Sequence, residues 1–350
     1  MCTCITYNSG DFYFGRNLDL EYSFGECVVI TPRRFPLQYR HGKHCGDAHY
    51  AMIGMAASAG LEGPQAFPLY AEAVNEKGLC MAGLNFPGNA VYTTPEEEKE
   101  NVASFEIIAR ILSSCASVDE ADSLLDHMNI TDTAFAPGLP PAPLHWMLAD
   151  RERCIVIEQT KDGLKRYDNP FGVLTNNPPF EYHLMNMNNY LNLTPENPKM
   201  RFVREGKTVQ SEDRPEVMPG DQTEAQPEVQ DRREIRLAPY SQGMGAIGLP
   251  GDFSSASRFV RAAFLRCNSV SGPEEDANVA QFFHILSNVA MVRGAVVTAE
   301  GKYDITTYSC CVNADTGTYY YRTYDDSRLH CVRMDSADLD GDRLTAGGMA

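Results

Sequence analysis

Blocks of strand-like sequence alternate with blocks of paired helical sequence along this chain of 350 residues. The strand-like runs are rich in β-branched and aromatic residues, whereas the helical blocks repeat apolar residues every three or four positions. Such blocks favour a layered α+β architecture, in which helices cover the outer faces of sheets. The predicted strands cover residues 2–7, 12–15, 50–57, 79–84, 145–149, 154–159, 164–167, 305–312 and 318–324, and the predicted helices cover 103–115, 118–128, 256–267 and 277–292.

The sequence has neither an internal repeat nor a Gly-Ser linker, which predicts one domain over residues 1–350. Residues 200–236 differ from the rest because they are polar and highly charged. Pro215, Pro219 and Pro227 would break any helix in this segment. Its composition buries too little apolar surface to order the chain, so it is predicted to be a polar surface insertion.

Composition excludes several classes of function. A formal net charge of −17 argues against nucleic-acid binding, which needs clustered Lys and Arg. No apolar run is long enough to cross a membrane, and no secretory signal precedes the first strand. Eleven cysteines without such a signal indicate free thiols in a reducing cytoplasm. Because no Cys-x-x-Cys pair occurs, we expect no structural zinc site, no other metal and no cofactor.

Cys2 is the strongest single indication of chemistry, because it follows the initiator Met1 and precedes Thr3. A small residue at position two lets methionine aminopeptidase act, so the mature protein is predicted to begin at Cys2. The thiol and a free α-amino group, whose ordinary pKa is about 7.7–8.0, then belong to one residue. The amine can serve as the base for its own nucleophile, which predicts catalysis by an N-terminal nucleophile.

The segment after Cys2 is typical of a β-hairpin. A strand, a polar turn and a returning strand over residues 2–15 bring Arg16 and Asp19 beside the chain terminus. A cation near a thiol favours the thiolate, and a carboxylate can orient an amine. If the returning strand continues, alternation places Arg16 and Asp19 on opposite faces, and a bend after Gly15 could bring both to Cys2. Spacing alone predicts an exposed Arg16–Asp19 surface pair equally well.

Ordered motifs over residues 1–325 resemble those of the choloylglycine hydrolases, the family of bile salt hydrolases and penicillin V acylases. The resemblance implies a four-layer αββα sandwich of the N-terminal nucleophile hydrolase type, with two antiparallel sheets between helical layers. It also implies a homotetramer. The matching motifs are Met1-Cys2-Thr3, residues 14–24, 75–79, 82–87, 144–147, 172–176 and 248–252, Ser257-Arg258-Phe259, and residues 288–294.

The resemblance implies one catalytic role for each matching residue. Cys2 is the nucleophile that forms a thioester, Asp19 holds its α-amine, and Arg16 favours the thiolate. Asn85 and Asn176 bind the developing oxyanion and fix the amine, and donors of that kind supply roughly 2.7–4 kcal/mol each. Judged from the sequence alone, each asparagine is better explained as a turn or loop residue.

Arg258 completes the charge balance around the thiol in the same family pattern. His145 offers a rival mechanism, because a Cys–His pair is typical of papain-like proteases. It lies within the apolar run Leu144 to Leu148, however, where a buried core histidine is the more common outcome. No papain signature surrounds Cys2, so His145 is not expected to be the base.

The expected substrate is a small-molecule amide, a glycine- or taurine-conjugated bile salt. Asn85 followed by Phe86 and Pro87 looks like the bile salt hydrolase version, because some penicillin V acylases have Tyr at this position. Leu18, Phe24 and Asn85 are the expected substrate-binding residues, and residues 20–24 and 55–67 are expected to form an apolar wall. Penicillin V or another N-acyl amide is the alternative substrate. A non-catalytic steroid- or acyl-binding protein is the remote alternative.

Overall fold

The structure is a computed structural model that describes residues 1–42, 48–61, 63, 66–199 and 237–348. The predicted insertion at 200–236 lies outside the described residues. The chain divides into two compact units, one of residues 1–191 with 249–350 and the other of residues 192–248. The prediction of a single domain therefore stays a prediction.

The first unit contains strands and helices in alternating blocks, as the sequence predicts. Its strands are β1 (Cys2–Ser9), β2 (Asp11–Leu20), β3 (Glu26–Thr31), β4 (Met52–Ala57), β5 (Leu69–Asn75), β6 (Cys80–Asn85), β7 (Glu100–Ala103), β8 (Met128–Thr131), β9 (Leu144–Ala149), β10 (Cys154–Thr160), β11 (Gly163–Asp168), β12 (Val173–Leu174), β13 (Ile305–Asn313), β14 (Thr318–Thr323), β15 (His330–Arg333) and β16 (Thr345–Gly348). Its helices are α1 (Ile107–Ser114), α2 (Val118–Leu125), α3 (Phe180–Asn186), α4 (Ser255–Asn268) and α5 (Glu275–Ser287).

These strands form two large antiparallel sheets. The first has six strands in the order β12-β1-β2-β13-β14-β15, and the second has eight in the order β11-β10-β9-β6-β5-β4-β3-β16. A small third sheet pairs β7 and β8 in parallel. In the six-stranded sheet, β1 lies between the two-residue strand β12 and β2, and β2 lies between β1 and β13.

Two apolar cores establish a four-layer αββα sandwich. One core joins the inner faces of both large sheets with α4 and α5, which pack on the six-stranded sheet. The other core fills the space between the outer face of the eight-stranded sheet and α1 and α2. Alternation along β3 shows the division, since Val28 and Ile30 lie in the first core and Val29 in the second. The predicted α+β fold class is confirmed.

Two glycines shape the hairpin that carries the chain terminus. Gly10 turns the chain between β1 and β2 at a φ of +70°, a left-handed value that a side chain would strain. Gly15 lies against β13, where an added Cβ would be 2.1 Å from the carbonyl oxygen of Cys310. The absence of a side chain at Gly15 therefore allows β2 and β13 to pair next to Arg16.

Some predicted boundaries are wrong because strand pairing overrides helical periodicity. The helix predicted from residue 103 begins at Ile107, since residues 100–103 form β7. The helix predicted to reach residue 128 ends at Leu125, because Met128 begins the partner strand β8. In both cases the terminal residue of the predicted helix belongs instead to a strand, which pairs in parallel with a segment 28 positions away.

The second unit is described over residues 192–199 and 237–248. Its two segments are joined by backbone and side-chain hydrogen bonds. Thr194 N–H donates to the carbonyl of Gly245 at 3.1 Å, and Met244 N–H donates to Asn197 Oδ1 at 3.1 Å. Among the described helices of the chain, none is both long and apolar enough to span a bilayer.

Candidate active site

Cys2 opens β1 and lies almost completely buried, with 4% of its surface exposed. In the hairpin, Cys2 is opposite Leu18 and Cys4 is opposite Arg16. Because directly paired residues share a face, these four side chains lie on the same side of the sheet. Arg16 contacts carbonyl groups of β5 and β6, so this is the face that meets the eight-stranded sheet.

Asn176 connects the backbone of Cys2 to two other expected site residues. Its Oδ1 accepts from the Cys2 N–H at 2.7 Å and from Arg258 Nη2 at 2.8 Å. Its Nδ2 donates to the carbonyl of Asn85 at 2.8 Å. Asn176 reaches this position because β12, which precedes it, pairs with β1 at the edge of the sheet. Asn176, which has the sequence context of a loop residue, therefore contacts three of the expected site residues.

Arg258 approaches Cys2 from the helical layer. Ser254 caps α4 by accepting from the N–H of Ser257, and this start places Arg258 on the buried side of the first turn. Its Nη1 donates to the carbonyl of Cys2 and, at 2.6 Å, to Thr3 Oγ1. Burial lowers the pKa of Arg258, while Asp19 and Cys2 act to raise it.

Asp19 is fully buried beside the chain terminus. Its Oδ1 accepts from Thr306 Oγ1 at 2.6 Å, while its buried Oδ2 has no partner in the described part of the chain. Its backbone N–H donates to the carbonyl of Met1 at 2.8 Å. Burial raises the pKa of Asp19, although Arg258, the terminal ammonium and the Thr306 hydroxyl act in the opposite direction. An unpartnered carboxylate oxygen at this position can accept a proton donor such as an α-ammonium group.

Arg16 is also fully buried, but on the opposite face of β2. Its Nη1 donates to the carbonyl of Gly83 at 2.5 Å and lies 3.7 Å from Glu72 Oε2. Burial acts to lower the pKa of Arg16, and interaction with Cys2, Tyr308 and Glu72 raises it overall. The guanidinium is therefore a permanent cation on the thiol side of the sheet.

The hypothesis of a bend after Gly15 is wrong, because β2 continues unbroken through Asp19. The exposed Arg16–Asp19 pair is also excluded, since both side chains are buried. Arg16 reaches the thiol face and Asp19 reaches the helical face of one regular strand. Arg16 therefore lies on the thiol side of Cys2, whereas Asp19 lies on the side from which Arg258 reaches the Cys2 carbonyl.

The expected substrate-binding residues differ in how closely they join this cluster. Leu18 is buried directly opposite Cys2, and Asn85 ends β6 with its side chain exposed and its carbonyl bonded to Asn176. Phe24 is partly buried and packs against the core between the sheets. The structure thus joins Asn85 and Leu18 to the Cys2 site directly, whereas Phe24 lies on the loop that follows β2.

The expectation that residues 55–67 form an apolar wall is wrong at both ends of this range. Met55 and Phe67 are fully buried and belong to different cores. Phe67 packs edge-to-face against Tyr39 and Phe105, with ring centroids 5.6 and 6.1 Å apart. These side chains stabilise the interior and do not line an accessible surface.

His145 is a core residue, as the sequence indicates. Its ring is stacked on Phe86 at 4.3 Å, its Nδ1 lies 3.0 Å from Glu158 Oε1, and its Nε2 lies 2.9 Å from the carbonyl of Thr175. Both ring nitrogens are therefore engaged by groups other than Cys2. The contact with Thr175 gives His145 a part in holding the segment that leads to Asn176.

Several residues that contact the cluster were not expected from the sequence. Thr306 and Glu72 contact Asp19 and Arg16, and Ser255 Oγ accepts from the Asn176 N–H at 2.8 Å. None belongs to a local motif, and Thr306 lies 287 positions from Asp19. Among the described residues, no group of three or more His, Cys, Asp or Glu side chains is arranged to hold a metal ion.

His183 also contacts Asn176, and its burial is expected to make the folded protein less stable in acid. The ring is buried, stacks on Phe259 at 4.8 Å, and its Nε2 donates to the carbonyl of Asn176 at 3.0 Å. Burial lowers the pKa of His183 to about 4, below the usual value of 6.5. Between these values the unfolded chain binds a proton that the folded chain does not. The contribution of neutral His183 is therefore present above pH 6.5 and lost as the pH falls toward 4.

Between pH 7 and pH 4, we expect the free energy of unfolding to decrease by about 3 kcal/mol less in His183→Gln than in the unsubstituted protein. Urea unfolding across this range measures the difference. The same substitution at His284, whose side chain is exposed, is the control for the loss of an imidazole. Equal slopes for the His183 variant and the unsubstituted protein would contradict the assignment.

Comparison with known proteins identifies similar chains over nearly the whole length. The family of linear amide C–N hydrolases described as the choloylglycine hydrolase family matches residues 2–226 and 220–347. The bile salt hydrolase/transferase of Lactiplantibacillus plantarum is 44% identical over 344 residues, which cover 98% of this chain and 95% of that protein. The bile salt hydrolase/transferase of Clostridium perfringens is 36% identical, with the same two coverages.

Solved structures agree with the sequence comparison. A crystal structure of a variant of the conjugated bile acid hydrolase from Clostridium perfringens has a TM-score of 0.81 and 34% identity, and the match covers 100% of this chain and 97% of that chain. The penicillin V acylase from Agrobacterium tumefaciens has a TM-score of 0.72 at 16% identity, with coverages of 99% and 92%. The second match shows a shared fold.

Proposed function

The chain belongs to the choloylglycine hydrolase family of linear amide C–N hydrolases, and we propose that its substrates are glycine- and taurine-conjugated bile salts. Cys2 is the proposed nucleophile, after removal of Met1. The observation that supports this best is the convergence of Asn176 and Arg258 on the backbone of Cys2, at the end of a buried strand. A merely structural cysteine does not need two buried polar side chains at its backbone.

In the proposed first half-reaction, the Cys2 thiolate attacks the amide carbon of the substrate. A C–S bond forms and the carbonyl oxygen becomes an oxyanion, which the exposed side-chain amide of Asn85 can stabilise. The Cys2 α-ammonium, held by Asn176 Oδ1 and the unpartnered Oδ2 of Asp19, donates a proton to the amide nitrogen. The C–N bond then breaks, and the amine leaves while the acyl group stays on sulfur as a thioester.

In the second half-reaction, the neutral α-amine takes a proton from water as the oxygen adds to the thioester carbon. Collapse of this intermediate breaks the C–S bond, releases the bile acid and restores the thiolate and ammonium. An amine can replace water in this step, forming a new amide. Two of the relatives are named hydrolase/transferase, and the same acyl-enzyme would serve both reactions.

Arg16 and Arg258 supply the positive charge that favours the thiolate in this proposal, one from each face of the sheet. Leu18 faces the thiol and offers apolar contact to the acyl group, and Phe24 extends that contact along the following loop. Burial of a steroid contributes roughly 25 cal/mol per Å² of apolar surface, so a few such side chains provide useful affinity.

A hydrolysis assay on taurine- and glycine-conjugated bile salts and on penicillin V tests the function. We expect release of taurine and glycine to be faster than cleavage of penicillin V at equal substrate concentration. Cleavage of penicillin V alone would support the alternative acylase. Intact-mass measurement tests the nucleophile, because a purified, active protein that retains Met1 would contradict the mechanism.

We also propose a cytoplasmic location and a homotetrameric assembly. All ten cysteines in the described part of the chain are unpaired thiols, which is typical of a reducing compartment. The tetramer is supported by the family resemblance. Cell fractionation and light scattering of the purified protein test these two properties separately.

A further inference from the structure

A buried carboxylate that the proposed mechanism does not use lies behind Arg16. Glu72 belongs to β5 of the eight-stranded sheet and is 2% exposed. Its Oε2 is 3.7 Å from Arg16 Nη1, so the ion pair crosses the interface between the two large sheets. Burying two charges is costly unless each is compensated, and the surroundings of this pair show how the compensation is made.

An irregularity in the eight-stranded sheet allows Arg16 to bind there. The pairing of β4 with β5 shifts register between Met55 and Ala56, which leaves Ala71 as an extra residue. Pairing of β5 with β6 begins at Glu72, so Ala71 and Gly83 lie just outside the ladder. Their carbonyl oxygens accept from Arg16 Nη1 at 3.3 and 2.5 Å. A β-bulge next to a functional site commonly redirects groups in this way.

Three donors converge on the carboxylate of Glu72. Tyr308 Oη donates to Oε2 at 2.8 Å, Tyr319 Oη donates to Oε1 at 2.5 Å, and the thiol of Cys310 lies 3.5 Å from Oε1. All three come from β13 and β14 of the opposite sheet. Burial raises the pKa of Glu72, and Arg16 and these donors act to lower it. One cation and three hydrogen-bond donors around Glu72 form an environment that suits its ionised carboxylate.

We propose that Glu72 is a positioning residue that acts through Arg16, holding its guanidinium behind Cys2 and offsetting part of its charge. This inference rests on the proposed role of Cys2 as nucleophile. Arg16 then faces two anions, the Glu72 carboxylate on one side and the Cys2 thiolate on the other. Without Glu72, the thiolate becomes the main counterion of a buried cation. The thiolate is then stabilised too strongly and is a weaker nucleophile.

The groups that share this environment define what else could titrate. Arg16 interacts with the thiols of Cys2 and Cys4 and with Tyr308. Burial raises the pKa of Cys4, Cys310, Tyr308 and Tyr319 well above their usual values, so these groups stay protonated near neutrality. Arg258 and Asp19 approach Cys2 from the other face. Replacing Glu72 with a neutral residue therefore removes one negative charge on the thiol side of the sheet.

The test is the pH dependence of iodoacetamide alkylation at Cys2, followed by mass spectrometry in the full-length protein and in Glu72→Gln. We expect the midpoint of the profile to shift downward by about one pH unit in the variant, since one nearby charge typically has an effect of that size. We also expect the rate at the alkaline plateau to fall about threefold, because nucleophilicity decreases with thiol basicity. An unchanged midpoint, or an upward shift, would overturn the proposal.

Glu106→Gln is the matched control, because Glu106 is another fully buried carboxylate whose pKa is raised by burial. It accepts from the N–H groups of Arg40 and Ala103, outside the Cys2 cluster. Its loss should lower stability without moving the alkylation midpoint.

If Glu72→Gln fails to fold, Tyr319→Phe provides the test by removing one donor and leaving the carboxylate. Because the Tyr319 hydroxyl acts to lower the pKa of Glu72, its loss leaves more of this carboxyl protonated, so that less of the Arg16 charge is offset. The midpoint should then move in the same direction by a smaller amount, and no shift or an upward shift would again overturn the proposal. Alkylation needs no substrate, so this result stands even if bile salts are not hydrolysed. Absence of bile salt cleavage by the unsubstituted protein would overturn the proposed function instead.

Discussion

Cys2→Ala is expected to abolish amide hydrolysis and leave the fold intact. The thiol supplies the bond-forming atom, and loss of a nucleophile in comparable hydrolases lowers kcat by about 10⁴-fold or more. The side chain is small and sits at the end of β1, so replacing sulfur with hydrogen leaves the backbone contacts to Asn176 and Arg258 in place. Measurement of taurine release, with circular dichroism to verify folding, checks this prediction.

Cys4→Ala is the matched control for this substitution. Cys4 lies two positions along the same strand, shares the face of Cys2 and is also completely buried. Burial raises its pKa well above the usual value, which makes it an inert thiol at neutral pH. We expect the Cys4 variant to keep near-normal turnover. Turnover by Cys2→Ala, or loss of turnover confined to Cys4→Ala, would refute the assignment of the nucleophile.

Asn176→Ala should produce the second-largest effect, a fall of roughly 10²–10³-fold in kcat. Its amide group satisfies the Cys2 N–H, one guanidinium nitrogen of Arg258 and the carbonyl of Asn85. In the mature protein the same oxygen would hold the α-amine, so its loss misplaces the proton donor as well as the arginine. Steady-state kinetics on a taurine conjugate measure the change.

The neighbouring Asn177 offers a control of the same residue type. Its Nδ2 donates to the carbonyl of Pro87 at 2.6 Å, in a hydrogen bond that is exposed. Asn177→Ala should therefore lower kcat far less than Asn176→Ala, because the Asn177 amide is bonded to Pro87 rather than to Cys2 or Arg258. Comparable losses in the two variants would mean that the loop as a whole, and not the Asn176 amide, is required.

Local sequence patterns predicted the elements that carry the site, but strand ends were less predictable. The hairpin predicted over residues 2–15 follows from residues that favour strands on either side of a polar turn, and the structure has strands and helices at the predicted positions as β1, β2, α4 and α5. The parallel pair β7 and β8 was missed, because residues 103 and 128 were interpreted as the ends of helices and the other residues of both strands were not assigned. Pairing between segments distant in sequence has no local signal strong enough to override helical spacing.

Cys2, Arg16 and Asp19 were candidates from the start of the chain and its hairpin as well as from the family motifs, whereas Asn176 and Arg258 were identified only through those motifs. The structure brings these five together. Composition and periodicity could not have selected Asn176, since it looks like a loop residue. Glu72 and Thr306 were missed altogether. Their roles depend on which strands of the two sheets lie face to face.

The sequence by itself determined that Arg16 and Asp19 lie on opposite faces if the strand continues past Gly15, because the period of a β-strand is two residues. That β2 does continue, through Leu20, is a finding of the structure. Only the tertiary structure decided that both positions are useful. Cys2 lies at a strand end between the eight-stranded sheet, which holds Arg16 through Glu72 and Gly83, and the helical layer, which brings Arg258 to its carbonyl. Side-chain direction is a local property of the backbone, whereas the partner that a side chain meets is set by the packing of layers distant in sequence.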